Sequence, residues 1–360
     1  MANLFGALNL EDTDLVYNAT VGQRAIYDVA TAYVAQQNAA LDAILGVFVE
    51  RTTSDHKLKY KLPGGGKLQR GSFAPRSVPA AVKATGEWGV AWPIADYGAA
   101  IAGDRVTLAY MTAAELSRHI DTVVIQNVNT VRFEMLYALF QNVSRSFDDP
   151  LWDTLTVQPL ANGDATVYPP VMGSETEATA DHYIESGYAA SAISDTNDPI
   201  VTIINKLEDQ FGSVTGGSDL IVFINNAQTG KISGLTGFVP YYDRNIIPGT
   251  QSATVTGAPN VPGKTLGRPT SGAWTVEWRW IPANYMLGIN MSAPPPLIKR
   301  IDPPATGLAN GLALVAEEYE HPFKTSYWSH RFGFGAGNRL NGVVVELGTG
   351  GTYTIPTAYQ

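Results

Sequence analysis

The sequence predicts a mixed α+β chain, and three stretches carry that reading. Residues 112–143 repeat apolar side chains at helical spacing, residues 57–62 alternate strictly, and Leu220–Ile224 is an unbroken apolar run. With 360 residues, 45% of them hydrophobic, the chain has material for one elaborate or two to three ordinary domains. Only 16% of residues are charged, against about 25% in an average soluble protein, while Gly 35 and Pro 22 are plentiful. A surface so poor in charge invites self-association.

In chain order, residues 21–45 read as a helix behind a polar leader. Thr20 and Gln23 suit a capping box, and Val21, Ala25, Val29, Tyr33, Leu41, Ile44 and Leu45 approximate its apolar stripe. Lys57-Leu-Lys-Tyr-Lys-Leu62 then places Lys57, Lys59 and Lys61 on one face of a strand and Leu58, Tyr60 and Leu62 on the other. Pro63-Gly-Gly-Gly-Lys67 is a turn signal, and a partly alternating stretch from Trp88 to Tyr97 returns, so 46–110 reads as a long β-arm. Two strands alone are marginal in water, and an arm of this kind needs another surface to lie on.

Thr112-Ala-Ala-Glu115 is a second capping box. Behind it Leu116, Ile120, Val123, Val124, Val128, Val131, Met135, Leu139 and Val143 keep a spacing of three to four up to Asp149-Pro150. About 32 residues of helix would span roughly 48 Å. A loop-rich stretch with a short hairpin follows over about 148–197. Asp198-Pro199 then opens a helix ending near Gly212, Leu220–Ile224 is a fully buried strand, and a short helix comes after it. Residues 198–290 therefore read as a compact α/β domain. Trp274, Val276, Trp278 and Trp280 give one strand a heavily aromatic face, which points to core. Leu312–Val315 and Val343–Leu347 are the closing strands.

Charge is distributed unevenly. Net charge is −9, yet residues 51–83 carry eight bases (Arg51, Lys57, Lys59, Lys61, Lys67, Arg70, Arg76 and Lys83) against Asp55 alone. From Asp148 to Asp219, thirteen acids, Asp149, Glu175 and Glu177 among them, face the single base Lys206. The two regions are electrostatic opposites, and the basic arm could grip an acidic neighbour or a phosphate backbone. Exposed ion pairs contribute only about 0–1 kcal/mol each, so charge would set register and the apolar strand face would supply most of the affinity.

Signatures of chemistry are scarce. There is no cysteine, which excludes disulfides, thiol nucleophiles and iron–sulfur clusters. Gly64-Gly-Gly-Lys67 lacks the spacing and following hydroxyl of a phosphate loop, and Gly333-Phe-Gly-Ala-Gly337 lacks the third glycine of a dinucleotide fingerprint. His56, His119, His182, His321 and His330 are scattered without metal-ligand spacing, and Glu175, Glu177, Asp181 and Glu185 lack the pattern of a calcium loop. No catalytic residue, metal or cofactor is expected. The leader, Met1-Ala-Asn-Leu-Phe-Gly6, has neither the basic segment nor the apolar stretch of a signal peptide, which predicts a cytosolic protein, and no run approaches a membrane span.

The order of elements resembles the major capsid proteins of tailed bacteriophages with the HK97-type fold. Ile281-Pro-Ala-Asn-Tyr-Met-Leu-Gly-Ile-Asn290, Pro296-Leu-Ile-Lys-Arg300, Arg331-Phe-Gly-Phe-Gly-Ala-Gly-Asn338 and Asn341-Gly-Val-Val-Val-Glu346 look like that family's closing strands. The resemblance implies an N-terminal arm over 1–45, an extended loop (E-loop) over 46–110, a peripheral domain with a long spine helix over 111–197 and 291–360, and an axial domain over 198–290. It implies a shell built of pentamers and hexamers of this chain, in a virion assembled in the host cytoplasm and enclosing double-stranded DNA without sequence-specific binding. A separate scaffold protein, a portal and cement proteins are the implied partners, with no membrane. Lys57, Lys59, Lys61 or Lys67 with Asn338 or Asn341 would be the positions of an intersubunit crosslink such as some members carry. Asp148, Asp149, Glu175 and Glu177 would be acidic partners of the arm. An encapsulin-like nanocompartment shell, and a cytosolic enzyme that exchanges arms in a dimer, are the alternative readings.

Overall fold

The computed structural model describes residues 23–61, 87–104, 110–149, 151–172, 174, 177–215, 219–241, 261–318 and 323–360. Helix α1 (Gln23–Leu45) leads into β1 (Val49–Thr53), then β2 (Lys57–Lys61), β3 (Glu87–Ala91) and β4 (Ala95–Asp104). Helix α2 (Ala113–Phe140) is followed by the hairpin of β5 (Arg145–Asp148) and β6 (Thr154–Val157), and by β7 (Tyr183–Glu185). Then come α3 (Pro199–Thr215), β8 (Leu220–Ile224), α4 (Asn226–Ser233), β9 (Val239–Pro240), β10 (Lys264–Arg268), β11 (Trp274–Glu277), β12 (Tyr285–Asn290) and β13 (Leu297–Arg300). Strands β14 (Ala313–Glu318), β15 (Phe323–Ala336) and β16 (Val343–Glu346) close the chain.

A seven-stranded mixed sheet, ordered β7-β16-β12-β8-β11-β10-β9, carries the core. Strand β8 is buried at all five positions and sends alternate side chains to opposite faces. Leu220, Val222 and Ile224 meet Ile200, Ile203, Ile204 and Leu207 of α3. Ile221 and Phe223 join Val131, Met135, Leu136, Leu139 and Phe140 at the end of α2. Each such side chain contributes about 1.5–3 kcal/mol on burial, which makes this two-sided layer the main source of stability. Gly288 on β12 permits the fit, because a Cβ there would lie 2.0 Å from Cγ2 of Ile203. The aromatic run is core as its alternation predicts: Trp274, Val276 and Trp278 are buried in the α2-side cluster, with Trp280 packed against it. The sheet also draws in β7 and β16, so it extends on both sides of the 198–290 segment.

The second sheet, ordered β1-β13-β15-β14, is built along the 14-residue β15. Its first part pairs with β4, from Phe323 opposite Asp104 to Phe332 opposite Ala95. Its last four residues pair with β13. At that changeover the glycine at 333 lies against the Pro93 carbonyl, where a Cβ would come within 2.1 Å.

Two helix expectations shift. The buried stripe of α1 is Ala30, Val34, Leu41 and Leu45, whereas Val29 is 70% exposed, so the stripe runs one position off the expected phase. Helix α2 starts on the expected box, with Thr112 Oγ1 accepting from the Glu115 amide and the Thr112 amide donating to Glu115 Oε2 at 2.8 Å. It ends at Phe140, short of Val143, which is exposed. The cause lies elsewhere in the chain: Tyr183 Oη donates to the carbonyls of Leu139 and Gln141, and Tyr353 Oη donates to that of Phe140 at 2.8 Å. Hydroxyls thus occupy the last-turn carbonyls, and the helix stops there.

Candidate intersubunit surface

The root of the arm is an antiparallel pair, β2 on β3, with Leu58 opposite Val90, Tyr60 opposite Trp88 and Lys61 opposite Glu87. Alternation puts Leu58 and Tyr60 inward, where they pack on a cluster of Trp88, Val90, Trp92, Ala161, Tyr168, Ile298 and Leu340. The Tyr60 and Trp88 rings lie 5.4 Å apart, and Trp88 and Tyr168 likewise. Burial, with Glu50 nearby, raises the Tyr60 hydroxyl above its ordinary pKa. This corrects one expectation. The apolar face of the arm's root is covered by its own chain, so Leu58 and Tyr60 hold the root to the body instead of offering a face to a neighbour.

The opposite face carries the exposed Lys57 and Lys59, the latter 2.8 Å from Glu87. Lys61 closes the strand. Lys67, Arg70, Arg76, Lys83 and Glu175 lie outside the described residues. Glu177 is half-buried. Asp148 is exposed and accepts from Thr154 Oγ1 at 2.7 Å.

Asp149 is a second correction. Its side chain is 1% exposed, and Oδ2 meets Arg300 Nη1 at 2.5 Å. Oδ1 accepts from the amides of Leu151 and Trp152 at 2.9 and 3.2 Å. Burial alone would raise this carboxyl, but the Leu151 amide, the Arg300 guanidinium and the Trp152 amide together hold it below the ordinary carboxylate value. A carboxylate so enclosed is a fixed part of the subunit and is closed to an arm from outside. Arg300 also donates to the Trp92 carbonyl at 2.8 Å, which ties the ion pair to the arm's root.

Of the two asparagines, Asn341 is fully buried. It brackets the backbone of Asn290 by accepting from its amide and donating to its carbonyl, both at 2.9 Å, and donates to the Pro294 carbonyl at 2.8 Å. It is therefore no crosslinking position. Asn338 is half-buried and donates to the Pro294 carbonyl at 3.0 Å.

Arg339 escaped the sequence reading because a lone arginine gives no periodic signal. It is 1% exposed and donates to the carbonyls of Pro159 and Leu160, to Asn162 and Thr166, and to Asp164 Oδ2 at 2.8 Å, fixing the 159–168 loop beneath the arm. The histidines sit as structural residues. His182 contacts the Gly342 carbonyl, His330 contacts Asn127, and His56 stacks on Trp152. His119 is exposed, and His321 lies outside the described residues. Among the described residues, no group of three or more His, Asp or Glu could hold a metal ion, and no helix is long and apolar enough to cross a membrane.

Comparison with solved structures places this architecture. A chain of Mycobacterium phage Patience superposes with a TM-score of 0.67 at 18% identity, covering 98% of each chain. A chain in the capsid structure of the cyanophage P-SCSP1u gives 0.50 at 12% identity, over 83% of this chain and 86% of that one. The chain has a phage capsid fold. No protein-family model and no curated protein matches the sequence, so the likeness rests on backbone arrangement alone. Within the capsid fold, the described residues bring together the arm's root, the β5–β6 hairpin and Arg300.

Proposed function

We propose that this chain is the repeated structural subunit of a tailed-phage head shell that encloses double-stranded DNA. The observation that carries the reading is the superposition on a phage chain over 98% of both lengths, which leaves no room for an inserted catalytic domain in either. The net charge of −9 suits a container, because tight binding of the contents would obstruct packaging and release.

On the HK97-type plan, 1–45 is the N-terminal arm, 46–110 the E-loop, 111–197 with 291–360 the peripheral domain around the α2 spine, and 198–290 the axial domain. The paired root at β2 and β3 supports the E-loop, and the length of α2 supports the spine. The subunit assembles with itself into pentamers and hexamers, with a scaffold protein, a portal and cement proteins as further partners. With the root's apolar face used internally, the arm's contact with a neighbour falls to its lysine face and to residues 62–86.

The experiment uses the root's register. Because Lys61 sits opposite Glu87, residues 62–86 can be replaced by an Asn-Gly turn without disturbing β2 or β3. The wild-type chain is expected to build shells, and the shortened chain to remain a folded small species. Shells of wild-type stability from the shortened chain would defeat the arm mechanism.

A further inference from the structure

The turn between β5 and β6 presents Leu151 at 76% and Trp152 at 53% exposure, and no other large apolar side chain among the described residues is more exposed than Leu151. Turn positions usually go to small or polar residues. Here the pair is held in place, because both amides donate to Asp149, whose other oxygen is locked to buried Arg300. The Trp152 indole stacks on the His56 imidazole, centroids 4.3 Å apart and planes 13° from parallel. A buried ion pair is a costly support, and it stands beneath an apolar pair that faces water. A fixed, exposed Trp with a Leu beside it has the composition and the preorganisation of an interface anchor.

The flanks carry both signs. Exposed Asp148 and Asp153 lie on the hairpin, and exposed Lys57 and Lys59 follow His56 on β2. Asp55 and Glu87 lie on this side too, Glu87 already engaged with Lys59. An apolar centre with acids on one flank and bases on the other complements itself after a half-turn.

We propose that this patch joins two copies of the chain about a two-fold axis. Leu151 and Trp152 of each copy pack at the centre, and the Asp153 flank of each faces the Lys57 flank of the other. The inference rests on the shell reading and names a surface that links neighbouring copies within it.

The test compares wild type, Leu151→Ser/Trp152→Ser, Asp153→Lys and Lys57→Glu at equal concentration, with assembled fraction read by sedimentation velocity. The serine double variant should lose at least about tenfold in assembled fraction. The two charge reversals touch only exposed side chains and spare the fold. Each alone should assemble poorly, and their equimolar mixture should recover, because opposite patches then meet. A serine variant that assembles like wild type, or a mixture no better than its components, overturns the proposal. Wild type that never assembles removes the shell reading and this contact with it, whereas assembling wild type beside unaffected variants removes the contact alone.

Discussion

Arg300 Nη1 lies 2.5 Å from Asp149 Oδ2, with the two side chains 7% and 1% exposed. One ion pair thereby joins β13, the β5–β6 turn and, through the Trp92 carbonyl, the root of the arm. Removing one partner of such a pair strands a buried charge. Asp149→Ala should cost about 3–5 kcal/mol in urea unfolding of the unassembled chain, and Asp149→Leu/Arg300→Leu distinctly less. Equal losses from the two variants would show that the pair's charge is immaterial.

Two buried histidines set a pH dependence. Burial, with Lys206 and Arg339 adding to it and the Gly342 carbonyl opposing, pushes His182 down to about 4. Burial and Lys299 push His330 down to about 3. Both folded values lie below the ordinary 6.5, so the unfolded chain takes up the protons first. Stability is therefore full above pH 6.5 and falls as pH drops toward 4, by about 1.4 kcal/mol per pH unit for each histidine. Burial raises the carboxyls of Glu134 and Asp198, which act in the opposite sense, so the informative quantity is the slope of wild type minus that of His182→Gln/His330→Asn. That difference should approach about 2.7 kcal/mol per unit between pH 6 and 4.5. Parallel slopes would contradict it.

The C-terminal tail acts as a strap. Glu185 accepts from the amides of Gly350 and Gly351, Tyr285 Oη donates to the Thr354 carbonyl at 2.9 Å, and Tyr359 Oη donates to that of Trp280 at 3.2 Å. Tyr359 is buried and stacks on Phe140. Truncation before Tyr353 removes both tyrosines and one hydroxyl partner of the α2 end, and should lower stability by about 3–5 kcal/mol, as for loss of a large buried aromatic. A loss under about 1 kcal/mol, the range of ordinary surface changes, would show the strap to be ornamental.

Much of this architecture is legible in the sequence where local signals suffice. The Thr112–Glu115 box, the Leu220–Ile224 run and the alternation at 57–61 each specify an element by themselves. What is not legible depends on partners distant in sequence. The end of α2 is set by Tyr183 and Tyr353, which no helical period announces. Asp149 looks like an ordinary member of an acidic stretch until Arg300, 151 positions on, encloses it. Leu58 and Tyr60 form the expected apolar face, but only the fold shows that Trp88 and Tyr168 of the same chain already cover it.

The central claim is that many copies of this chain close into a vessel. Size-exclusion chromatography of the purified wild-type protein, with negative-stain microscopy of the leading peak, tests it most directly. Closed particles of uniform diameter in the void volume are expected. A stable species of one or two copies across protein and salt concentrations would contradict the account.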